Sequence, residues 1–61
     1  MKRQEIQAPY KTYTGAILNA EQCERYNAIQ RRINSFADAG LPIPEYLVSA
    51  SHKLFTELSN A

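Results

Sequence analysis

The sequence predicts an all-α fold, a two-helix antiparallel hairpin that follows an extended or irregular N-terminal arm. Apolar residues recur at helical spacing in two segments, and a glycine and two prolines separate those segments. Helix-boundary signals place the helices at about 20–39 and 44–59, with a turn at 40–43. We therefore expect an arm over residues 1–18 and a helical hairpin over residues 19–61.

The size of the chain predicts that its own core needs support. With 61 residues there is room for one domain, and a domain of this size buries only about 60% of the surface of its unfolded chain. Cys23 is the only cysteine, so no disulfide forms within the chain, and together with His52 it supplies too few ligands for a zinc site. We expect a homo-oligomer, in the first place a dimer in which two hairpins complete a four-helix bundle, with a higher oligomer as the alternative.

The arm contains a run of β-type composition, residues 10–14, between Pro9 and Gly15. A single strand of this length is not stable by itself, so it must lie on the helices, pair with another chain or stay mobile. If the arm covers the open side of the hairpin, it takes the place of a second copy. The side chains that would form such a lid are Tyr10, Tyr13, Ile17 and Leu18.

The first helix has clear start signals. Asn19 is a favourable N-cap, and Gln22 three residues later completes a capping-box pattern. Leu18 and Cys23 occupy the two positions of a hydrophobic staple around that cap. Apolar residues then follow at spacings of three and four, the period of one helix face: Tyr26, Ile29, Ile33 and Phe36.

The segment DAGLPIP predicts a sharp corner after the first helix. Gly40 falls at C′, where a left-handed backbone is favoured, and Leu41 would then contact Phe36 as in a Schellman motif. Pro42 cannot continue the first helix, whereas Pro44 suits the first turn of the second. The core expected from both helices and their flanks comprises Leu18, Tyr26, Ile29, Ile33, Phe36, Leu41, Leu47, Leu54, Phe55 and Leu58.

No group of residues has the spacing of a catalytic or metal site. The carboxylates are dispersed along the chain, and His52 has none well placed beside it on a helix. No base is spaced to activate Cys23, and the two glycines, Gly15 and Gly40, do not form a phosphate-binding loop. We therefore predict a protein that is not an enzyme and that holds no metal and no cofactor.

The candidate partner-binding residues are tyrosines and arginines: Tyr10, Tyr13, Arg25, Arg31, Arg32 and Tyr46. The arginines form either a solvated, ion-paired helix face or a patch for an anionic partner. The net charge of +1 counts against a strong general attraction to nucleic acid or to an anionic membrane. The arm tyrosines either seal the helices or are exposed for recognition, since aromatic rings with a polar end suit interfaces.

Two segments, TGAILNAEQCERYNAIQ and YLVSASHKLFTELSNA, resemble the phage helical proteins that sequester cyclic-oligonucleotide defence signals. The resemblance implies a helical, oligomeric protein that captures an anionic nucleotide. The sequence departs from that pattern at Ala16, where an aromatic residue is expected, and at Gln30, where a basic residue is expected. No site residues are therefore carried over from the resemblance.

The function predicted from the sequence is that of a small regulator or inhibitor that binds another protein of the host or cell. Short chains without a catalytic constellation are typical of the accessory proteins of phages and mobile elements. Two alternatives are an oligomer that captures an anionic small ligand, such as a nucleotide signal, and a weak dimeric nucleic-acid-binding protein. We expect no signal peptide and no membrane span, and the unpaired cysteine fits a reducing compartment, so the expected location is the cytoplasm.

Overall fold

The chain is mostly helical, with a small two-stranded sheet before the helices. A computed structural model describes residues 3–60. The elements in chain order are β1 (Tyr10–Lys11), β2 (Ile17–Leu18), α1 (Ala20–Asp38) and α2 (Glu45–Ser59). The helical content agrees with the prediction, whereas the sheet was not predicted. Residues 1 and 2 of the expected arm and residue 61 of the expected hairpin lie outside the described residues.

The start of α1 has the capping geometry that the sequence predicts. The Gln22 amide N–H donates to Asn19 Oδ1 at 2.9 Å, and the Asn19 amide N–H donates to Gln22 Oε1 at 2.8 Å. This reciprocal pair is a capping box, and it is confirmed. Leu18 and Cys23, the predicted staple residues on either side of the cap, lie in one buried cluster with Leu58.

The end of α1 is a Schellman turn with Gly40 in the left-handed conformation, at a φ of 70°. The Gly40 amide N–H donates to the Ala37 carbonyl at 3.1 Å, and the Leu41 amide N–H donates to the Phe36 carbonyl at 3.0 Å. The backbone of the corner is therefore as predicted. The expected burial of Leu41 is wrong, because its side chain is 55% exposed. Leu41 lies beyond the end of α1, where neither helix covers it.

The start of α2 differs from the prediction by one position. Pro44 was expected in the first turn, but it is the N-cap, with an extended backbone at φ −58° and ψ 133°. Its carbonyl accepts a hydrogen bond from the Leu47 amide N–H at 3.1 Å. Proline has no side-chain acceptor, so α2 begins without a side-chain cap, and Glu45 supplies the negative charge in its first turn.

The arm contains its own β-partner, which was not among the three arrangements expected for it. β1 pairs with β2 in antiparallel orientation, with Tyr10 opposite Leu18. The Thr12 amide N–H donates to the Ala16 carbonyl at 2.9 Å, and the Gly15 amide N–H donates to the Thr12 carbonyl at 3.0 Å. Gly15 has a φ of 91°. A turn followed by a left-handed glycine is the usual three-residue hairpin loop, so a single glycine makes this pairing possible.

The apolar core is smaller than expected from the helical stripes. Within residues 3–60 the buried apolar side chains are Leu18, Cys23, Ile33, Leu47 and Leu58. Five residues expected in the core are only partly buried: Tyr26, Ile29, Phe36, Leu54 and Phe55. Neither α1 nor α2 is both long and apolar enough to cross a lipid bilayer.

A polar chain of hydrogen bonds joins α1 to α2 through the interior. Ser51 Oγ donates to Gln30 Oε1 at 2.9 Å, and Gln30 Nε2 donates to the Tyr26 hydroxyl at 2.9 Å. Gln30 and Ser51 are both buried. Buried polar groups are costly unless they are bonded, and this chain satisfies both ends of the Gln30 amide.

Candidate functional site

Two asparagine side chains of α1 hold the arm by its backbone. Asn34 accepts from the Arg3 amide N–H and donates to the Arg3 carbonyl, both at 2.8 Å. Asn27 forms the same pair of bonds with Ile6, at 2.8 Å and 2.7 Å. We call these four residues the asparagine clamp. Because Arg3 meets Asn34 and Ile6 meets Asn27, the arm runs in the direction opposite to α1.

The arginines predicted as a candidate patch are in different electrostatic situations. Arg31 forms an ion pair with Glu5 of the arm, with an Nη1–Oε1 distance of 3.5 Å, and a second one with Glu24. Its charge is therefore balanced locally, which weakens its role as a contact for phosphate. Arg25 and Arg32 are exposed and form no ion pair with any carboxylate of residues 3–60.

Three of the four tyrosines surround Phe55 of α2. The ring of Tyr26 lies 5.4 Å from the Phe55 ring, and Tyr10 approaches it edge-on at 6.4 Å. Tyr13 lies nearly parallel to Phe55 at 6.3 Å, with an angle of 19° between the planes, yet it is 78% exposed. The arm tyrosines thus contact the helices, and one of them also presents most of its surface to solvent. Aromatic pairs of this kind stabilise by about 0.5–1.5 kcal/mol beyond area burial.

A groove of about 460 Å³ lies between the arm and the two helices. Arg3 of the arm and Tyr26 of α1 line it. The remaining lining comes from one face of α2, at the spacing of successive helical turns: Val48, Ser49, Ser51, His52 and Phe55. The volume lies within the range of small-ligand clefts.

A second exposed feature, which we call the corner strip, begins at the turn between the helices. It consists of Leu41, Ile43, Tyr46 and Val48, all of them large apolar side chains that are exposed to solvent. Tyr46 is 63% exposed and is the one tyrosine with no ring contact to Phe55 among residues 3–60. Val48 belongs to both the strip and the groove wall.

The predicted partner-binding residues do not converge on one site. Tyr10 and Tyr13 lie at Phe55, the three arginines lie on exposed positions of α1, and Tyr46 lies on the corner strip. Sequence reasoning missed the clamp asparagines, Arg3 and the groove-facing position of His52. The signals were nevertheless present. Asn27 and Asn34 are seven residues apart in a helix interior, a location that asparagine disfavours, and Ser51, His52 and Phe55 share a face with Val48.

No family model, no curated protein and no solved structure matches this chain. The resemblance to signal-sequestering phage proteins therefore stays an expectation from the sequence. What the protein does has to be inferred from the groove and the corner strip.

Proposed function

We propose that this protein is a non-enzymatic regulator or inhibitor that acts by binding another protein through the corner strip. The observation that carries the proposal is the exposure of Leu41, Ile43, Tyr46 and Val48 within one short stretch of chain. Single exposed apolar side chains are ordinary on a protein surface, whereas four large ones within eight residues of chain favour an interaction surface. A tyrosine among aliphatic side chains is also the composition that interface cores favour.

The energetic basis of the proposal is the contact of the strip with water. Removing apolar surface from water is favourable by about 25 cal/mol per Å². A partner that covers the strip therefore gains affinity without any rearrangement of the core, because the strip lies outside the buried cluster around Leu18 and Leu58.

Self-association is the alternative form of the proposal, in which the protein that the corner strip binds is a second copy of this chain. We propose that α1 and α2 form an antiparallel hairpin and that two hairpins associate along the corner strip into a four-helix bundle. The small apolar core of residues 3–60 supports this, since a second copy would cover what the first leaves exposed. Native mass spectrometry over a range of concentrations tests it: we expect a dimer that dissociates on dilution, and a monomer at every concentration would contradict it.

Site-specific photo-crosslinking tests the strip directly. A photoreactive phenylalanine analogue is introduced at Tyr46 and, as a matched control, at Glu21, which is exposed on the first turn of α1. In cells that produce the protein, we expect Tyr46 to give one dominant crosslinked species and Glu21 to give none. The mass of that species distinguishes a second copy of the chain from a different protein.

The control position decides whether the crosslink is specific. Equal, diffuse crosslinking from Tyr46 and Glu21 would mean that the strip has no preferred partner. Loss of the Tyr46 product after the further change Leu41→Ser, with the α-helical circular dichroism unchanged, would support the strip as a whole.

A further inference from the structure

The groove beside the corner strip has the lining of a site for a negatively charged group. Arg3 and His52 line it, and no Asp or Glu of residues 3–60 does. The Tyr26 hydroxyl accepts a hydrogen bond from Gln30, so its own hydrogen remains available to a ligand. The rest of the lining consists of the apolar side chains Val48 and Phe55 and of the uncharged Ser49 and Ser51.

Arg3 is held at this groove by its backbone and not by its charge. Both of its main-chain polar groups are bonded to Asn34, which fixes the position of its backbone beside α1. Among residues 3–60 no carboxylate pairs with the Arg3 side chain, whereas Arg31 forms ion pairs with two carboxylates. A guanidinium with no internal partner suits a carboxylate from outside, which it binds in a forked, charge-assisted geometry.

We propose that the groove receives an acidic side chain, Asp or Glu, of the protein that binds the corner strip. This rests on the proposed function, because Val48 belongs both to the corner strip and to the lining of the groove. The partner segment would place its carboxylate against Arg3 and His52 and an adjacent apolar side chain on Val48. Charge complementarity gives specificity for the acidic residue of the partner, and the corner strip gives specificity for the apolar residue beside it.

The test uses the full chain and a display library of random linear peptides. The library is panned against the natural chain, against Arg3→Glu, and against Lys53→Glu, a matched charge reversal at an exposed position of α2 outside the groove. We expect the natural and Lys53→Glu chains to enrich peptides in which Asp or Glu stands beside an aliphatic or aromatic residue. The Arg3→Glu chain should lose this preference.

Affinities of one enriched peptide then measure the contact. Replacing its acidic residue by the corresponding amide should weaken binding to the natural chain at least about tenfold, the scale of a charge-assisted hydrogen bond. Replacing it by lysine should restore binding to Arg3→Glu and to no other chain. Arg3 is exposed and its clamp uses only backbone atoms, so the charge reversal leaves the fold in place.

The outcomes separate this inference from the proposed function. Enriched peptides that require Tyr46 but show no acidic preference would overturn the inference and leave the proposed function standing. Peptides that bind the Tyr46→Ser chain as tightly as the natural chain would count against the proposed function. If the library yields no enriched peptide, the result would count against both. Binding of inorganic phosphate alone as tightly as the peptides would overturn the inference in favour of a free small anion.

Discussion

Replacing Asn27 by alanine should destabilise the fold substantially. Asn27 is 6% exposed, and its amide forms two hydrogen bonds with the backbone of Ile6. Alanine at position 27 leaves the backbone N–H and C=O of the partly buried Ile6 without their hydrogen-bond partners. At a net contribution of about 0.5–1.5 kcal/mol for each bond, we expect a loss of about 1–3 kcal/mol. That is a large share of the roughly 3–9 kcal/mol expected for a chain of this length.

Asn34→Ala is the matched control. Its side chain makes the same two bonds to Arg3, but both are exposed, so water can take the place of the amide. The gain in helix propensity from asparagine to alanine is similar at both positions and cancels in the comparison. We expect a loss below about 1 kcal/mol for Asn34→Ala. The difference between the two variants therefore isolates the effect of burial on an identical pair of bonds.

Urea unfolding followed by far-ultraviolet circular dichroism measures both losses. With a slope of about 1 kcal/mol per M, the midpoint should fall by about 1–3 M for Asn27→Ala and by less than about 1 M for Asn34→Ala. Hydrogen exchange should show loss of protection at the Ile6 amide in the first variant. Equal losses, or a greater loss for Asn34→Ala, would refute the reasoning.

Three further predictions concern stability. Ser51→Ala should cost about 1–3 kcal/mol, because the buried Gln30 Oε1 loses its hydrogen-bond donor. Ser59→Ala should be neutral or stabilising by up to about 1 kcal/mol, since Ser59 Oγ is buried without a partner among the described residues. Chemical unfolding measures the stability of both variants, and equal effects would contradict this account. Gly40→Val should cost about 1–3 kcal/mol through its positive φ, because no atom beyond the two neighbouring residues lies within 4 Å of an added Cβ. An unchanged melting temperature would contradict this. Arg31→Gln should cost less than about 1 kcal/mol, as its ion pairs are exposed, and a larger loss in the same assay would show that they contribute to the fold.

The features that the sequence predicted well are those whose causes are local. The capping box needs only Asn19 and Gln22, and the Schellman turn needs only a glycine placed one residue after the C-cap. Each of these signals acts across three to five residues, so the order of the residues nearly determines the geometry.

The features that could not be predicted depend on contacts between distant segments. The arm docks through Asn27 and Asn34, which bond residues 21 and 31 positions away, and a side-chain amide gives no sign of a distant backbone partner. Leu41 has the composition of a core residue, but its burial depends on whether another surface covers the corner. The groove is unpredictable for the same reason, since the arm and both helices form it together.

The asparagine clamp also sets a rule for the length of the arm. Three residues of extended chain span about 10 Å, and seven residues of helix span about 10.5 Å, so the two periods are nearly commensurate. A third asparagine–backbone pair at the same spacing would join Pro9 to Ala20, but proline has no amide hydrogen and alanine has no amide side chain. The series therefore ends after two pairs, where the chain leaves α1 to form the strands. Any insertion between the two pairs of the asparagine clamp must add three residues to the arm for every seven added to the helix.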